Sequence, residues 1–126
     1  MRTAYVDTSF LLAAAFHERS SERPLHTFDE FAVIVASRFL EAEYLSAYHR
    51  EAMAPNYELL GSVQLVDATS SLRDQVNRVL EAGYVSGADC WHLATALYVS
   101  PDPGELTFLT LDARQRAVAK HLGFRL

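Results

Sequence analysis

Two aspartates stand directly after short apolar stretches of the sequence, where a strand would end. Asp7 follows residues 3–6 (TAYV), and Asp112 closes FLTLD after the stretch 106–110. A carboxylate in this position can cap the next helix, which stabilises it by about 1 kcal/mol, and this alternative stays open for each residue alone. Ligands of open parallel sheets bind beyond the carboxyl ends of the strands, so the same position also suits a reactive or metal-binding group.

Two further acidic positions fall in the early turns of predicted helices. Asp89 follows Ser86, a candidate N-cap, and Glu41 and Glu43 follow Ser37, another candidate. The helix macrodipole alone would favour an acid in a first turn. The two glutamates are two residues apart and point to opposite sides of a helix, so only one of them can face a site. Periodicity does not choose between them.

Four carboxylates that meet at one edge of a sheet need a partner of opposite charge. Two like charges about 4 Å apart repel by roughly 4 kcal/mol at an effective dielectric near 20. A structural role would not sustain four of them, whereas Mg²⁺ and Mn²⁺ prefer carboxylate oxygens as ligands. The acids therefore predict a site for one or two Mg²⁺ or Mn²⁺ ions.

The elements that must position these acids alternate along the chain. Five β-favouring stretches are nearly continuously apolar, as expected of strands covered on both faces; they are 3–6, 33–36, 63–66, 106–110 and 124–126. Helices are predicted between them, over 8–16, about 20–31, 37 to about 53, 71–82 with Ser70 as cap, 87–99 and 113–122. The alternation predicts an α/β fold, a three-layer α/β/α sandwich with a mostly parallel five-stranded sheet.

Length, charge and cysteine content bound the class of protein. The 126 residues show no linker or repeat, so we expect a single domain over 1–126. Asp7 interrupts the first apolar segment, and residues 10–16 fall short of the roughly 20 that cross a bilayer, which predicts a soluble chain without a targeting peptide or membrane partner. The single cysteine, Cys90, fits a cytoplasmic location. The net charge of −5 weighs against binding nucleic acid by charge alone.

Other chemistries find little support in the sequence. The five histidines lack the spacings of zinc ligands, and His92 is expected to be packed and hydrogen-bonded. Neither a GxSxG elbow nor a glycine-rich phosphate loop is present. Trp91 and Tyr98 are expected in the core or an interface rather than as a platform for bases. A phosphoacceptor receiver domain would need an acidic pair after the first strand and a lysine near the last, although Asp67 does follow the third strand.

Four segments together resemble the PIN-domain ribonucleases, most closely the VapC toxins of toxin–antitoxin pairs. They are VDTS at 6–9, SRFLEAEYLSAYHR at 37–50, ADCWHLATAL at 88–97 and FLTLDARQRAVAKHLGF at 108–124. The resemblance covers nearly the whole chain and implies a parallel five-stranded sheet between helices. It also favours Glu43 over Glu41, because the glutamate of the family comes six residues after a serine and before an S-A-x-x-R stretch.

The resemblance implies a metal-dependent endoribonuclease with an acidic tetrad as its catalytic and metal-binding residues: Asp7, Glu43, Asp89 and Asp112. Ser9 and Thr110 match hydroxyl positions beside the acids, where they would orient them or satisfy local backbone. Arg114 and Arg116 would either contact the RNA backbone or form a solvated helix face. The implied partners are RNA, a VapB-like antitoxin and a second copy of the chain in a homodimer. The alternatives are a PIN-fold protein that binds RNA or a partner without cutting, and a housekeeping PIN nuclease.

Overall fold

A parallel sheet forms the centre of the protein in its computed structural model, which describes residues 2–16 and 28–126. Its strands are β1 (Thr3–Val6), β2 (Val33–Ser37), β3 (Gln64–Val66) and β4 (Leu106–Leu109). Their order across the sheet is β3-β2-β1-β4, and every pairing is parallel. From β1 the chain adds β2 and then β3 on one side of the sheet, and β4 then pairs with the opposite side of β1. Such a reversal opens a crevice at the carboxyl ends of the strands.

Helices connect the strands, as the alternation in the sequence predicts. Their bounds are α1 (Thr8–Ala15), α2 (Phe39–Arg50), α3 (Tyr57–Gly61), α4 (Arg73–Ala82), α5 (Gly87–Val99), a short 3₁₀ helix (Pro103–Glu105) and α6 (Ala113–Leu122). Helix α5 packs on β2 and α4, and α1 packs on α2. The expected α/β class with a parallel sheet is confirmed. Most of the helix predicted over about 20–31 lies outside the described residues.

The predicted fifth strand over 124–126 needs correction. Arg125 forms a single parallel bridge with Thr107, in which its N–H donates to Leu106 O at 3.0 Å and its carbonyl accepts from Phe108 N at 2.8 Å. Gly123, with φ at 105°, ends α6 and turns the chain toward β4. Phe124 is buried and its ring packs against that of Phe108. One bridged residue does not make a ladder, so the sheet of the described residues has four strands.

Two predicted helix starts also differ from the structure. Ser37 is the last residue of β2, because it pairs with Val66 of β3, and α2 begins at Phe39. The Ser37 hydroxyl still accepts the Phe39 N–H at 3.1 Å. Helix α4 begins at Arg73 rather than after Ser70, whereas Ser86 caps α5 as predicted. Ser37 belongs to β2 because of strand pairing, which local signals in the sequence do not reveal.

The sequence pattern missed two short helices and misplaced the end of a third. Helix α3 and the 3₁₀ helix are five and three residues long and were not predicted. Helix α2 stops at Arg50, short of the predicted end near Met53, and Ala52 just beyond it has a φ of 53°. A positive φ cannot continue a right-handed helix, so the chain leaves the axis there.

The core lies against the sheet and fixes its strands. Ala4, Tyr5 and Val6 are all fully buried, as expected of a strand covered on both sides. The rings of Tyr5 and Phe108, which are register partners on β1 and β4, stack at 5.3 Å with an interplanar angle of 5°. Within the described part of the chain, no helix combines the length and apolar content needed to cross a membrane.

Candidate active site

Asp7 occupies the junction between β1 and α1 and is only 4% exposed. Its Oδ2 accepts hydrogen bonds from the Ser9 N–H at 3.2 Å and the Ser9 hydroxyl at 2.6 Å, so the residue caps α1. The Thr110 hydroxyl lies 3.4 Å from the same oxygen. Oδ1 has a more distant donor, the amide of Gln115 at 3.4 Å. Asp7 therefore caps α1 through Oδ2, while Oδ1 accepts one long hydrogen bond, from Gln115, among the described residues. Capping the helix and contributing to the site are compatible.

Asp112 and Thr110 are both hydrogen-bonded to Gln115, whose fully buried side chain reaches Asp7. Asp112 Oδ1 caps α6 by accepting the Gln115 N–H at 2.7 Å. The Thr110 hydroxyl donates to Gln115 Oε1 at 2.6 Å and accepts the Asp112 N–H at 3.0 Å. Gln115 Nε2 also lies 3.3 Å from the carbonyl oxygen of Asp89. The principal partner of Thr110 is therefore Gln115, which in turn reaches Asp7.

Glu43 projects from the middle of α2 toward α1 and α5. Its Oε1 accepts from the Thr8 hydroxyl at 2.7 Å and lies 2.8 Å from His92 Nε2. Partial burial works to raise the pKa of Glu43, but the hydrogen bonds from His92 and Thr8 outweigh it, so the pKa is lowered. Glu43 is therefore ionised at neutral pH.

Asp89 stands in the first turn of α5, where Ser86 Oγ accepts its N–H at 3.3 Å. The pKa of its carboxyl is raised, first by partial burial and then by the negative charges of Asp7 and Asp112. Asp89 is thus near enough to both other aspartates to be affected by their charge. Residues distant in the sequence have converged on one edge of the sheet.

Three of the four predicted acids share a cavity at the carboxyl ends of the strands. Its volume is about 390 Å³, and it is lined by Asp7, Thr8, Ser9, Leu12, Glu43, Ser46, Ala47, Arg50 and Asp89. Asp112, the N-cap of α6, does not line this cavity, and neither does Glu41. The structure thus brings Asp7, Glu43 and Asp89 together. That they and Asp112 are catalytic or metal-binding residues stays a prediction.

The donor chemistry of the cavity fits a hard divalent cation, although the carboxylates do not form a closed cage. Among residues 2–16 and 28–126, no three His, Cys, Asp or Glu side chains are close enough to form a metal-binding group. The Asp7 Oδ1 atom has one long hydrogen bond, and the Asp89 carboxyl repels its acidic neighbours. Carboxylate oxygens with free lone pairs are the ligands that Mg²⁺ and Mn²⁺ take, together with several waters.

Several contributors were not anticipated from the sequence. His92 is 1% exposed and hydrogen-bonded, as expected, but its partners Tyr5, Thr8 and Glu43 were not predicted. Gln115 stands at the third position of α6 after its cap, Asp112, which is the glutamine of a capping box. That pattern would have singled it out, although its side chain turns into the core instead of back to the cap.

The remaining predicted positions lie outside the cavity. Arg114 and Arg116 are exposed on α6 near Asp112. The Trp91 indole N–H donates to Ser37 Oγ at 3.1 Å while 39% of the residue is exposed, and Tyr98 lies 2.9 Å from the Thr69 hydroxyl.

Residues 4–121 match the PIN domain family. The chain therefore belongs to the PIN-domain family, which excludes the receiver-domain alternative. No curated protein and no solved structure matches the chain significantly. PIN domains have a nuclease-type fold, are generally metal-dependent nucleases and usually bind divalent metals. An α/β fold with acids at the carboxyl edge of a parallel sheet is compatible with membership of this family.

Proposed function

We propose that this protein is an endoribonuclease that uses Mg²⁺ or Mn²⁺ to hydrolyse RNA phosphodiester bonds, and that it is a VapC-type toxin. The observation that carries the proposal is the acidic cavity at the carboxyl ends of β1 and β2, in a chain of the PIN family. The buried Asp7 supports it, because desolvating a carboxylate beside other acids is costly unless a ligand compensates it.

In this proposal some side chains would hold the metal ions, and others would orient the carboxylates that bind them. Asp7 Oδ1, the Asp89 carboxylate and the oxygen of Glu43 that faces away from His92 would hold one or two ions, and Asp112 would bind directly or through water. Ser9 restrains Asp7 through Oδ2, and Thr110 acts on Asp7 through Gln115. A bound divalent ion would lower the pKa of a coordinated water and stabilise charge on the phosphate in the transition state.

Basic side chains around the cavity would position the RNA backbone. Arg50 lines the cavity and is exposed, and its guanidinium lies 3.3 Å from Glu51. Arg114 and Arg116 are exposed on α6 close to Asp112. Arginine can contact a phosphate through two parallel hydrogen bonds, so these residues suit the flanking phosphates of the substrate.

The rest of the proposal concerns assembly and context. As a toxin, the protein would act in the cytoplasm, form a homodimer and be inhibited by a VapB-like antitoxin whose tail covers the acidic cavity. A single domain over 1–126, with helices in two layers around the sheet, is part of the same proposal.

A cleavage assay tests the nuclease part of the proposal. Purified protein is incubated with RNA and Mn²⁺ or Mg²⁺, with and without EDTA, and compared with Asp89→Asn. We expect cleavage only by the unmodified protein and only with free metal, because Asn carries no charge to hold the ion. Cleavage that persists in EDTA and in Asp89→Asn would rule out the metal mechanism. Retention of RNA without cleavage would favour a binding protein.

Growth after induced expression separates a toxin from a housekeeping nuclease. The unmodified protein should arrest growth when its partner is absent, and Asp89→Asn should not. If active nuclease leaves growth unchanged, the toxin assignment fails while the nuclease assignment stands.

A further inference from the structure

A chain of buried hydrogen bonds runs from the backbone of β2 to Glu43. The Ser37 N–H donates to the Tyr5 hydroxyl at 2.9 Å, and that hydroxyl lies 2.7 Å from His92 Nδ1. On the other side of the ring, Nε2 lies 2.8 Å from Glu43 Oε1. Tyr5 and His92 are 0% and 1% exposed, so water does not compete for these groups.

The partners on each side of the ring determine where its proton sits. Nε2 faces the ionised Glu43 at 2.8 Å and Asp7 Oδ1 at 3.7 Å, and a carboxylate only accepts hydrogen bonds, so Nε2 must carry a proton. The Tyr5 hydroxyl receives the Ser37 N–H and has its own proton to place. Within the described residues, the partner of this hydroxyl besides the Ser37 N–H is His92 Nδ1 at 2.7 Å, and the Thr95 side chain is a further neighbour. Burial raises the pKa of Tyr5, so the hydroxyl keeps this proton.

We propose that His92 is a positioning residue for Glu43, to which its Nε2–H donates, and that the Tyr5 hydroxyl holds the ring through Nδ1. Together with Thr8, it fastens Glu43, which lines the cavity, through Oε1. Among the described residues, Oε2 has no recorded hydrogen-bond partner and stays available to a ligand. The ring nitrogen and the hydroxyl thereby decide which oxygen of the carboxylate is offered.

The consequence for binding rests on the proposed function, since it assumes that Glu43 receives a divalent ion. The hydrogen bond from His92 Nε2 does not rest on it and can be measured in the metal-free protein. We would record long-range proton–nitrogen correlation spectra of protein labelled with ¹⁵N-histidine, and assign His92 by its absence from His92→Gln. A proton on Nε2 is expected at neutral pH. An unprotonated Nε2 would overturn the proposal.

Matched tyrosine variants test the role of the hydroxyl. Tyr5→Phe keeps the ring that stacks on Phe108 but removes the hydroxyl beside Nδ1, so the ring should be held less firmly and the Nε2 proton should exchange faster with solvent. Tyr44→Phe is the control, because Tyr44 is equally buried and its hydroxyl donates to Asn56 O at 2.8 Å, away from the ring of His92. An unchanged exchange rate of the Nε2 proton in Tyr5→Phe, or an equal change in both variants, contradicts the proposal.

Binding of Mn²⁺ alone, measured by calorimetry, tests the effect on Glu43. His92→Leu should weaken binding roughly 10–100-fold, the usual cost of losing the partner that orients a ligand. His92→Gln retains an N–H donor and should recover most of the affinity. Equal losses in both variants would mean that His92 serves only packing. If the unmodified protein binds no Mn²⁺, the proposed function fails, and the measurement of the Nε2 proton still decides whether His92 is held by Tyr5.

Discussion

Two cavities of similar size lie at opposite edges of the same sheet, and only one has the marks of a reactive site. The acidic cavity at the carboxyl edge measures about 390 Å³ and the one at the amino edge about 430 Å³. The amino-edge cavity is lined by Arg2, Thr3, Val99, Ser100, Glu105, Leu106, Thr107 and Arg125. Its charged members are exposed, and Arg2 lies over the Phe31 ring at 5.1 Å and near Glu30.

The two cavities differ in the burial and the sign of their charges rather than in volume. At the carboxyl edge, Asp7 is buried. Burial and like charges raise the pKa of Asp89, whereas hydrogen bonds outweigh burial and lower the pKa of Glu43. Charges at the amino edge are of both signs and in water. Desolvated groups of one sign are expected where a ligand supplies the missing charge, and Arg50, the one basic residue among the described residues that line the acidic cavity, is exposed. The larger cavity is therefore not the better candidate.

Neutralising one acid at each edge should give the largest difference in RNA cleavage between the two cavities. Asp7→Asn should reduce RNA cleavage by more than about 100-fold, because losing a ligand costs more than losing a group that orients it. Glu105→Gln at the amino edge should leave cleavage within about twofold. Initial rates at saturating Mn²⁺ measure both. Equal effects of the two changes would remove the distinction between the edges.

Metal should stabilise the protein through the carboxyl edge alone. At 100 times the dissociation constant, bound Mn²⁺ should add about 2.7 kcal/mol to the free energy of unfolding. The stabilisation should disappear in Asp89→Asn and persist in Glu105→Gln, as followed by thermal unfolding.

The same stabilisation should depend on pH. The raised pKa of Asp89 means that its carboxyl takes up a proton at a higher pH than an ordinary aspartate, and the protonated form does not bind metal. Glu43, whose pKa is lowered, remains ionised in that range. The Mn²⁺ effect should therefore decline on acidification, beginning above the usual aspartate range. A decline that begins only below that range would contradict the proposed part of Asp89.

Two glutamines with buried side-chain oxygens, Gln115 and Gln75, offer a smaller contrast. Gln115→Leu removes the partner of Thr110 and Asp7 and should cost about 1–3 kcal/mol of unfolding free energy, with a parallel loss of cleavage. Gln75→Leu is the control, because Gln75 Oε1 is buried with no partner recorded in the described part of the chain. It should be neutral or slightly stabilising in urea unfolding. Comparable destabilisation by both changes would argue against a special role for Gln115.

The least effect is expected at the exposed side chain of Arg125. Arg125→Ala leaves the backbone bridge to Thr107 intact, so unfolding free energy should change by no more than about 0.5 kcal/mol. Cleavage should stay within about twofold. A large loss of activity would show that the amino edge takes part in function after all.

Local signals in the sequence predicted much of this architecture. Continuous apolar stretches predicted the strands, Ser86 predicted the start of α5 and Gly123 the end of α6, because each acts on backbone within one turn of itself. The fifth strand failed for the opposite reason. Whether 124–126 pairs as a ladder or as one bridge depends on how the chain returns to β4, and apolar composition does not report that.

The sequence by itself determined which acids follow strands and begin helices, since that is a matter of neighbours along the chain. Only the tertiary structure decided what those acids touch. Tyr5 and His92 are 87 positions apart, and Gln115 and Asp7 are 108 apart. These contacts exist because parallel pairing and the packing of α2, α5 and α6 bring the segments to one edge. A carboxylate's hydrogen-bond partners, and with them its pKa and its free oxygen, are set by that packing and not by its place in the chain.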